Sequence, residues 1–171
     1  MKSEFVWFFG PSAVGKQTII QNLQDHKNLL RARLKLNEKI EVMEPSLEED
    51  RTKIMDHILS LREPQIVSSV LIKGQGDDLA KKLPQQLRDR IPSARHRIVF
   101  LYCDPKELSR RWQLRWEQTN NPIWKDRAPE DCKGEMIGIL YQIKKLRSDV
   151  FELTCFDNSE GQYKPMDCQS V

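Results

Sequence analysis

The segment that most restricts what this chain can fold into lies near its start. Five apolar residues, Phe5 to Phe9, run directly into Gly10-Pro11-Ser12-Ala13-Val14-Gly15-Lys16-Gln17-Thr18. An apolar run cut by glycine, four residues to a second glycine, a lysine and then helix-compatible sequence is the order that a strand, a phosphate-holding loop and a helix require. Gly10 and Gly15 lack Cβ, so the loop can turn backbone N–H groups toward phosphate oxygens while the new helix aims its positive end at the same point. Lys16 supplies a charge for the outer phosphates. The plainer reading is a Gly-Pro turn between a core strand and an ordinary helix; having both the strand before and the helix after favours the phosphate cradle.

These residues resemble the P-loop of the P-loop NTPases, and the wording Gly-Pro-Ser-x-Val-Gly-Lys is most similar to guanylate kinases and neighbouring small-molecule kinases. The resemblance implies that Gly10, Ser12, Ala13, Val14, Gly15, Lys16, Gln17 and Thr18 surround the phosphates of ATP, with Mg²⁺ alongside. One position departs. The family's Ser or Thr after the lysine, whose hydroxyl holds Mg²⁺, is Gln17 here, and Thr18 comes one residue late. One residue rotates about 100° around a helix, so Thr18 replaces that hydroxyl only with a shift of register, and Gln17 is the metal candidate at this position.

With 171 residues the chain suits one domain over its full length, able to bury roughly two thirds of the surface its unfolded form exposes. A net charge of +3 spread through 31% charged residues forms no long single-sign block, so composition does not argue for nucleic acid or an anionic membrane. The first apolar run is too short for a signal segment or a membrane span, and a cytoplasmic protein is expected. Cys103, Cys132, Cys155 and Cys168 contain no Cys-x-x-Cys pair, which argues against a zinc site and a disulfide scaffold. Cys103 and Cys155, at the ends of apolar runs, read as buried reduced thiols.

Five apolar runs recur with longer polar-periodic segments between them: Phe5 to Phe9, Ile40 to Met43, Ile66 to Ile72, Ile98 to Tyr102 and Val150 to Phe156. Several are continuous in Val, Ile, Leu and Phe, as strands covered on both faces must be. The class is α/β, and with the P-loop resemblance the expectation is a three-layer α/β/α fold on a five-stranded parallel sheet, P-loop kinase-like. A first helix is expected from the P-loop to about Leu30, and a second from the capping pattern Ser46-Leu47-Glu48-Glu49 through Ile54, Met55, Ile58 and Leu59. A third spans Asp78 to Ile91, interrupted at Pro84; a fourth opens at Asp104-Pro105, an N-cap with proline at N1. The last carries Met136, Ile139, Leu140, Ile143 and Leu146 on one face. Between the last two, Thr119 to Lys133 reads as a loop, and the polar tail from Gly161 is expected to fray.

Ligands of open parallel sheets bind beyond the carboxyl ends of the strands, which directs attention to the residues after each run. Glu44-Pro45 follows the second and resembles the Glu-Pro of deoxynucleoside kinases; Glu44 is either a base for an acceptor hydroxyl or a polar residue before a helix cap. Lys73-Gly74-Gln75-Gly76-Asp77-Asp78 follows the third. Asp77 or Asp78 could hold Mg²⁺ through water, as a Walker-B aspartate does, or serve a turn and an N-cap; the family's usual strand-end aspartate is replaced by Lys73. After the fourth, Leu108, Trp112 and Trp116 repeat at one-turn spacing and should pack on the domain, while Arg111 and Arg115 stack one turn apart beside Arg110. With Arg127 across the loop they resemble the lid of nucleoside monophosphate kinases, here a short one at about 105–133. That resemblance implies a clamp on the transferring phosphoryl group; the alternative is a solvated cationic face. Asp157-Asn158-Ser159 after the fifth run resembles the wording of zeta-toxin-like kinases and would put Asn158 against the base, although Asn and Asp are also ordinary turn formers.

His26, His57 and His96 pair with no nucleophile, and no Asn-Lys-x-Asp guanine signature is present. The reading is an ATP-dependent kinase acting on a small-molecule or nucleotide acceptor. Two rivals stand beside it: a nucleotide-binding module without efficient catalysis, and a nucleic-acid-end kinase using Arg110, Arg111, Lys125 and Arg127 with Trp112 and Trp124 as stacking platforms.

Overall fold

The computed structural model describes residues 2–43, 48–60, 67–146 and 151–171. Within them β1 (Glu4–Phe9), β2 (Ile40–Met43), β3 (Ser69–Lys73), β4 (Arg95–Tyr102), β5 (Glu152–Asp157) and β6 (Lys164–Met166) form one sheet in the order β2-β3-β1-β4-β5-β6. The first five are parallel and β6 is antiparallel to β5. The helices are α1 (Lys16–Leu23), α2 (Leu29–Leu34), α3 (Glu48–Ser60), α4 (Gly76–Ala80), α5 (Leu83–Arg90), α6 (Pro105–Thr119) and α7 (Pro129–Lys144).

The apolar runs explain the order. Every residue of β1 is buried, as are six consecutive residues of β4, so both must be covered on both faces and belong in the middle. β2, half exposed along its length, forms an edge. Each large side chain of β1 contributes roughly 1.5–3 kcal/mol by leaving water. Because β1 is followed on one side by β3 and on the other by β4, strand order reverses at its carboxyl end, where a doubly wound sheet opens a crevice. The loop after β1 emerges there.

At the opposite, amino end of the sheet, the buried Glu4 and Arg97 are paired with each other and with the exposed Arg95 and Glu152. Glu4 accepts a 2.6 Å hydrogen bond from Ser69 Oγ and lies 3.6 Å from the buried Arg97 guanidinium, which also reaches Glu152 at 3.3 Å. Arg95 closes the group, pairing with Glu152 and approaching Glu4 at 3.9 Å.

Several expectations are corrected. The sheet has six strands among the described residues, not five. β6 is three residues long, contains Pro165 and has no apolar run, and proline is tolerated because this is an edge. The tail therefore docks: Tyr163 is buried and Cys155 is joined to Cys168, with Cα atoms 5.4 Å apart, so Cys155 is not a reduced thiol. Cys103 is free and buried, and burial pushes its thiol up to about 11.

The first helix stops at Leu23 instead of about Leu30. Asn28, whose side chain accepts from the Leu30 N–H at 2.8 Å, starts α2 afresh, and Arg31 of that helix is buried with its guanidinium on the Asn37 carbonyl at 2.8 Å. The break in the third helix falls at Lys81-Lys82, with Lys82 at φ 54°, and Pro84 sits in the first turn of α5, where its missing N–H is not needed. The irregular stretch after α6 spans only 120–128 and holds a 3₁₀ turn, Pro122–Trp124; α7 already begins at Pro129. Asp104 caps α6 as its sequence indicates, accepting from Lys106 N at 3.0 Å and Glu107 N at 3.2 Å. Ser46 and Leu47 of the proposed α3 cap lie outside the described residues, as do the side chains of Ile54 and Met55. Ile58 is buried.

Candidate functional site

The loop from Gly10 to Gly15 is held in its shape by glycine, by one left-handed alanine and by side chains brought from far along the chain. A Cβ on Gly10, at φ 156°, would lie 2.8 Å from the Leu101 carbonyl oxygen of β4. A Cβ on Gly15, at φ 102°, would lie 2.6 Å from Asn158 Nδ2 and 3.0 Å from the Tyr163 hydroxyl. Ala13 adopts φ 64°, a conformation that costs an L-residue roughly 1–2 kcal/mol and is bearable only where its surroundings impose it.

Those surroundings are carbonyl clamps. Trp112 Nε1 on α6 donates to Ser12 O at 3.1 Å, Asn158 Nδ2 after β5 donates to Val14 O at 2.9 Å, and the Tyr163 hydroxyl donates to Gly15 O at 2.9 Å. The Lys16 ammonium takes the carbonyls of Gly10 at 2.6 Å and Pro11 at 2.9 Å. In a trans peptide the N–H points opposite to the C=O, so fixing a carbonyl away from the cavity turns the next N–H toward it. The loop's donors are thus pre-set by neighbours that satisfy its acceptors.

The loop lines a cavity of about 400 Å³. Ser12, Ala13, Gly15, Lys16, Gln17, Thr18 and Gln21 form its floor; Lys73 and Gln75 come from the end of β3, and Arg115 and Trp124 from across the cavity. Burial drives the Lys16 ammonium down from its ordinary value to about 7, with Lys73 and Arg115 pushing the same way and Glu135 opposing. The cavity is positively charged without a carboxylate among its described lining residues.

The remaining sequence candidates divide. Arg115 lines the cavity, with its guanidinium 5.0 Å from the Trp124 ring. Arg111 turns away: it donates to Glu107 at 2.8 Å, to Asn158 O at 2.7 Å and to Ser159 O at 3.1 Å. Hydrogen bonds from Arg110 and Arg111 hold the Glu107 carboxyl down to about 2. Arg127 lies 4.2 Å over the Trp112 ring and pairs with Glu135 at 3.3 Å. Trp112 and Trp124 meet edge to face at 4.5 Å, giving a ladder Arg127–Trp112–Trp124–Arg115 whose second rung is bonded to the P-loop. Trp112 is buried, so its faces are not free as a stacking platform; Trp116 is only partly covered. Asn158 is buried behind Val14 and Gly15 instead of facing the cavity.

Asp77 is exposed on α4 and does not line the cavity, and Asp78 accepts the Gln75 N–H at 2.7 Å as a cap. Gly74 is required by packing, since a Cβ there would lie 2.3 Å from the Phe9 ring. Glu44 lies outside the described residues. Among the described residues no cluster of three or more His, Cys, Asp or Glu is placed to hold a metal ion. The cavity fits Mg²⁺ poorly: a hard cation that takes oxygen ligands finds hydroxyls on Ser12 and Thr18 and one amide oxygen on Gln17, but no carboxylate among the described lining residues, and an ammonium stands at the end of β3. Sequence reasoning missed Tyr163, Gln21 and Gln75 as parts of the site, and treated Lys73 only as a missing aspartate. Lys73 was recoverable from its strand-end position; Tyr163, 148 residues from its partner, carried no local signal.

No protein-family model matches the chain, and no curated protein matches it in sequence. It is similar in structure to a protein of the PezAT chromosomal toxin–antitoxin system of Streptococcus pneumoniae, at 13% identity over 97% of this chain and 72% of that one, with a TM-score of 0.57. It is also similar to a candidate kinase from Chloroflexus aurantiacus, at 15% identity over 99% of this chain and 95% of the other, with a TM-score of 0.55. At such identities the likeness is one of fold. The chain has an α/β, P-loop kinase-like fold on a mostly parallel six-stranded sheet. Among the described residues no helix is long and apolar enough to cross a membrane.

Proposed function

We propose that this chain is a phosphotransferase that binds a nucleoside triphosphate, ATP in the first instance, in the P-loop cavity and passes its γ-phosphoryl group to a small-molecule or nucleotide acceptor. The observation that carries the reading is the clamped loop. Trp112 of α6 and, from the β5–β6 connection, Asn158 and Tyr163 hold the carbonyls of Ser12, Val14 and Gly15, leaving amides and Lys16 at a cavity that Arg115 also lines. A turn that merely joined a strand to a helix needs none of this.

In the transfer, the bond from the γ-phosphorus to the bridging oxygen breaks as one to the acceptor oxygen forms, and negative charge spreads over the phosphoryl oxygens. Lys16 and the loop amides hold the phosphates, and Arg115, on the segment 105–133 that serves as a small lid, meets that charge. The acceptor's proton goes to a base, for which Glu44 after β2 is our candidate.

The second reading, a binding module without turnover, is favoured by Gln17 and Lys73 at two positions where P-loop enzymes carry metal ligands. One experiment separates the two: ³¹P NMR of ATP with the protein and pools of nucleoside monophosphates, sugars and alcohols. Acceptor-dependent ADP with a new phosphoester resonance supports the kinase; ATP bound but intact through prolonged incubation supports the module.

A further inference from the structure

We infer that the cavity takes its oligophosphate as the metal-free polyanion, with the Lys73 ammonium standing where a P-loop fold otherwise keeps a divalent cation. The inference rests on the reading of the cavity as a phosphate site. It follows from two departures that point the same way.

The first is at the loop. The position after Lys16 holds Gln17, whose side chain must give up rotamer freedom to bring one carbonyl oxygen to an ion and carries an NH₂ that only donates. A donor is of no use to a cation and is well suited to a phosphate oxygen. The second is at the end of β3, beside β1 in the sheet, where Phe8 and Lys73 are register partners. A carboxylate there would collect a dication; Lys73 lines the same cavity as Lys16, close enough to act on its ammonium, and repels one. Among the described residues neither Lys73 nor Arg115 has a carboxylate within ion-pair distance, so both charges remain for a ligand.

The nearby acids are committed elsewhere. Glu135, which faces Lys16 from α7, is paired with Arg127 at 3.3 Å. Asp78 caps α4 and Asp77 is exposed outside the cavity. Three cations, Lys16, Lys73 and Arg115, therefore converge on one cavity, approaching the charge that a triphosphate brings. A magnesium ion would compete with them for the same oxygens.

Calorimetric titration with inorganic tripolyphosphate, and in parallel with ATP, in EDTA and then in millimolar Mg²⁺, tests this. The expected result is binding in EDTA that Mg²⁺ weakens severalfold, and a loss of about tenfold or more in EDTA for Lys73→Met, whose apolar stem keeps the packing. Binding that Mg²⁺ tightens tenfold or more, or Lys73→Met affinity in EDTA equal to wild type, overturns the inference while leaving the phosphate site standing. Absence of binding in both buffers overturns the phosphate site itself and this inference with it. The comparison of buffers uses only the wild-type protein, so the outcome does not depend on how the variant folds.

Discussion

The two ends of the sheet handle charge in opposite ways. At the amino end Glu4, Arg95, Arg97 and Glu152 form a closed group in which each buried charge has a partner. At the carboxyl end Lys16, Lys73 and Arg115 share a cavity with no described carboxylate on its walls, and burial, together with the neighbouring Lys73, lowers the Lys16 ammonium to about 7. A chain under pressure only to fold has no reason to bring three basic groups, Lys16 and Lys73 half-buried and Arg115 exposed, to one cavity, because like charges gathered together repel. Leaving one end uncompensated points to a partner that is not part of the chain, and the sign of the charge says that the partner is an anion.

The sharpest way to break this contrast is to spoil the compensated end. Glu4→Ala leaves the buried Arg97 guanidinium with only the half-exposed Glu152 as a counterion and should cost about 2–4 kcal/mol in urea denaturation, with the ATP affinity of the folded protein unchanged. If the loss is below about 1 kcal/mol, the amino-end group is not the closed unit described. Next in size is Gly15→Ala. A side chain at φ 102° must push aside Asn158 and Tyr163, so we expect about 1–3 kcal/mol less stability together with loss of ATP binding, read by thermal melting and calorimetry.

The uncompensated end predicts its own pH dependence. Bound phosphate restores the counterion that Lys16 lacks among Lys73, Arg115 and the already paired Glu135, and so raises its pKa above the free value of about 7. Binding then takes up a proton, and above pH 7 affinity should fall by up to about tenfold per unit until the pKa of the complex is reached. Titrations at pH 7.5 to 9, run against Lys16→Ala to subtract the ligand's own ionisation, read this slope; a flat difference between the two proteins refutes it. The smallest effect concerns the clamp. Tyr163→Phe removes one donor from the Gly15 carbonyl and should cost about 1 kcal/mol of stability with a severalfold loss of ATP affinity. Loss of stability alone would make Tyr163 a packing residue only.

What was legible in the sequence is what local chemistry dictates. The buried run of β1, the glycines of the loop and the Asp104 cap each state their role within a few residues, and all three are found in place. What was illegible depends on pairs far apart. β6 has no pattern of its own, being a proline-containing edge held by β5, by Tyr163 and by Cys168. The lid arginines could not be sorted from their spacing, because α6 presents Arg111 to Glu107 and the 158–159 carbonyls while the next turn presents Arg115 to the cavity. Helix spacing fixes which residues are neighbours, not which acceptors a remote segment brings to them.

The central claim, that the unpaired charge at the carboxyl end exists for an oligophosphate, is tested most directly by titrating ATP into Lys16→Ala and wild type under one set of conditions while following the melting temperature of each. Losing a charged donor from the site should weaken ATP by roughly tenfold to a hundredfold, while the loss of its bonds to the Gly10 and Pro11 carbonyls should lower the ligand-free melting temperature only modestly. An ATP affinity within twofold of wild type would show that Lys16 serves the fold and not a ligand.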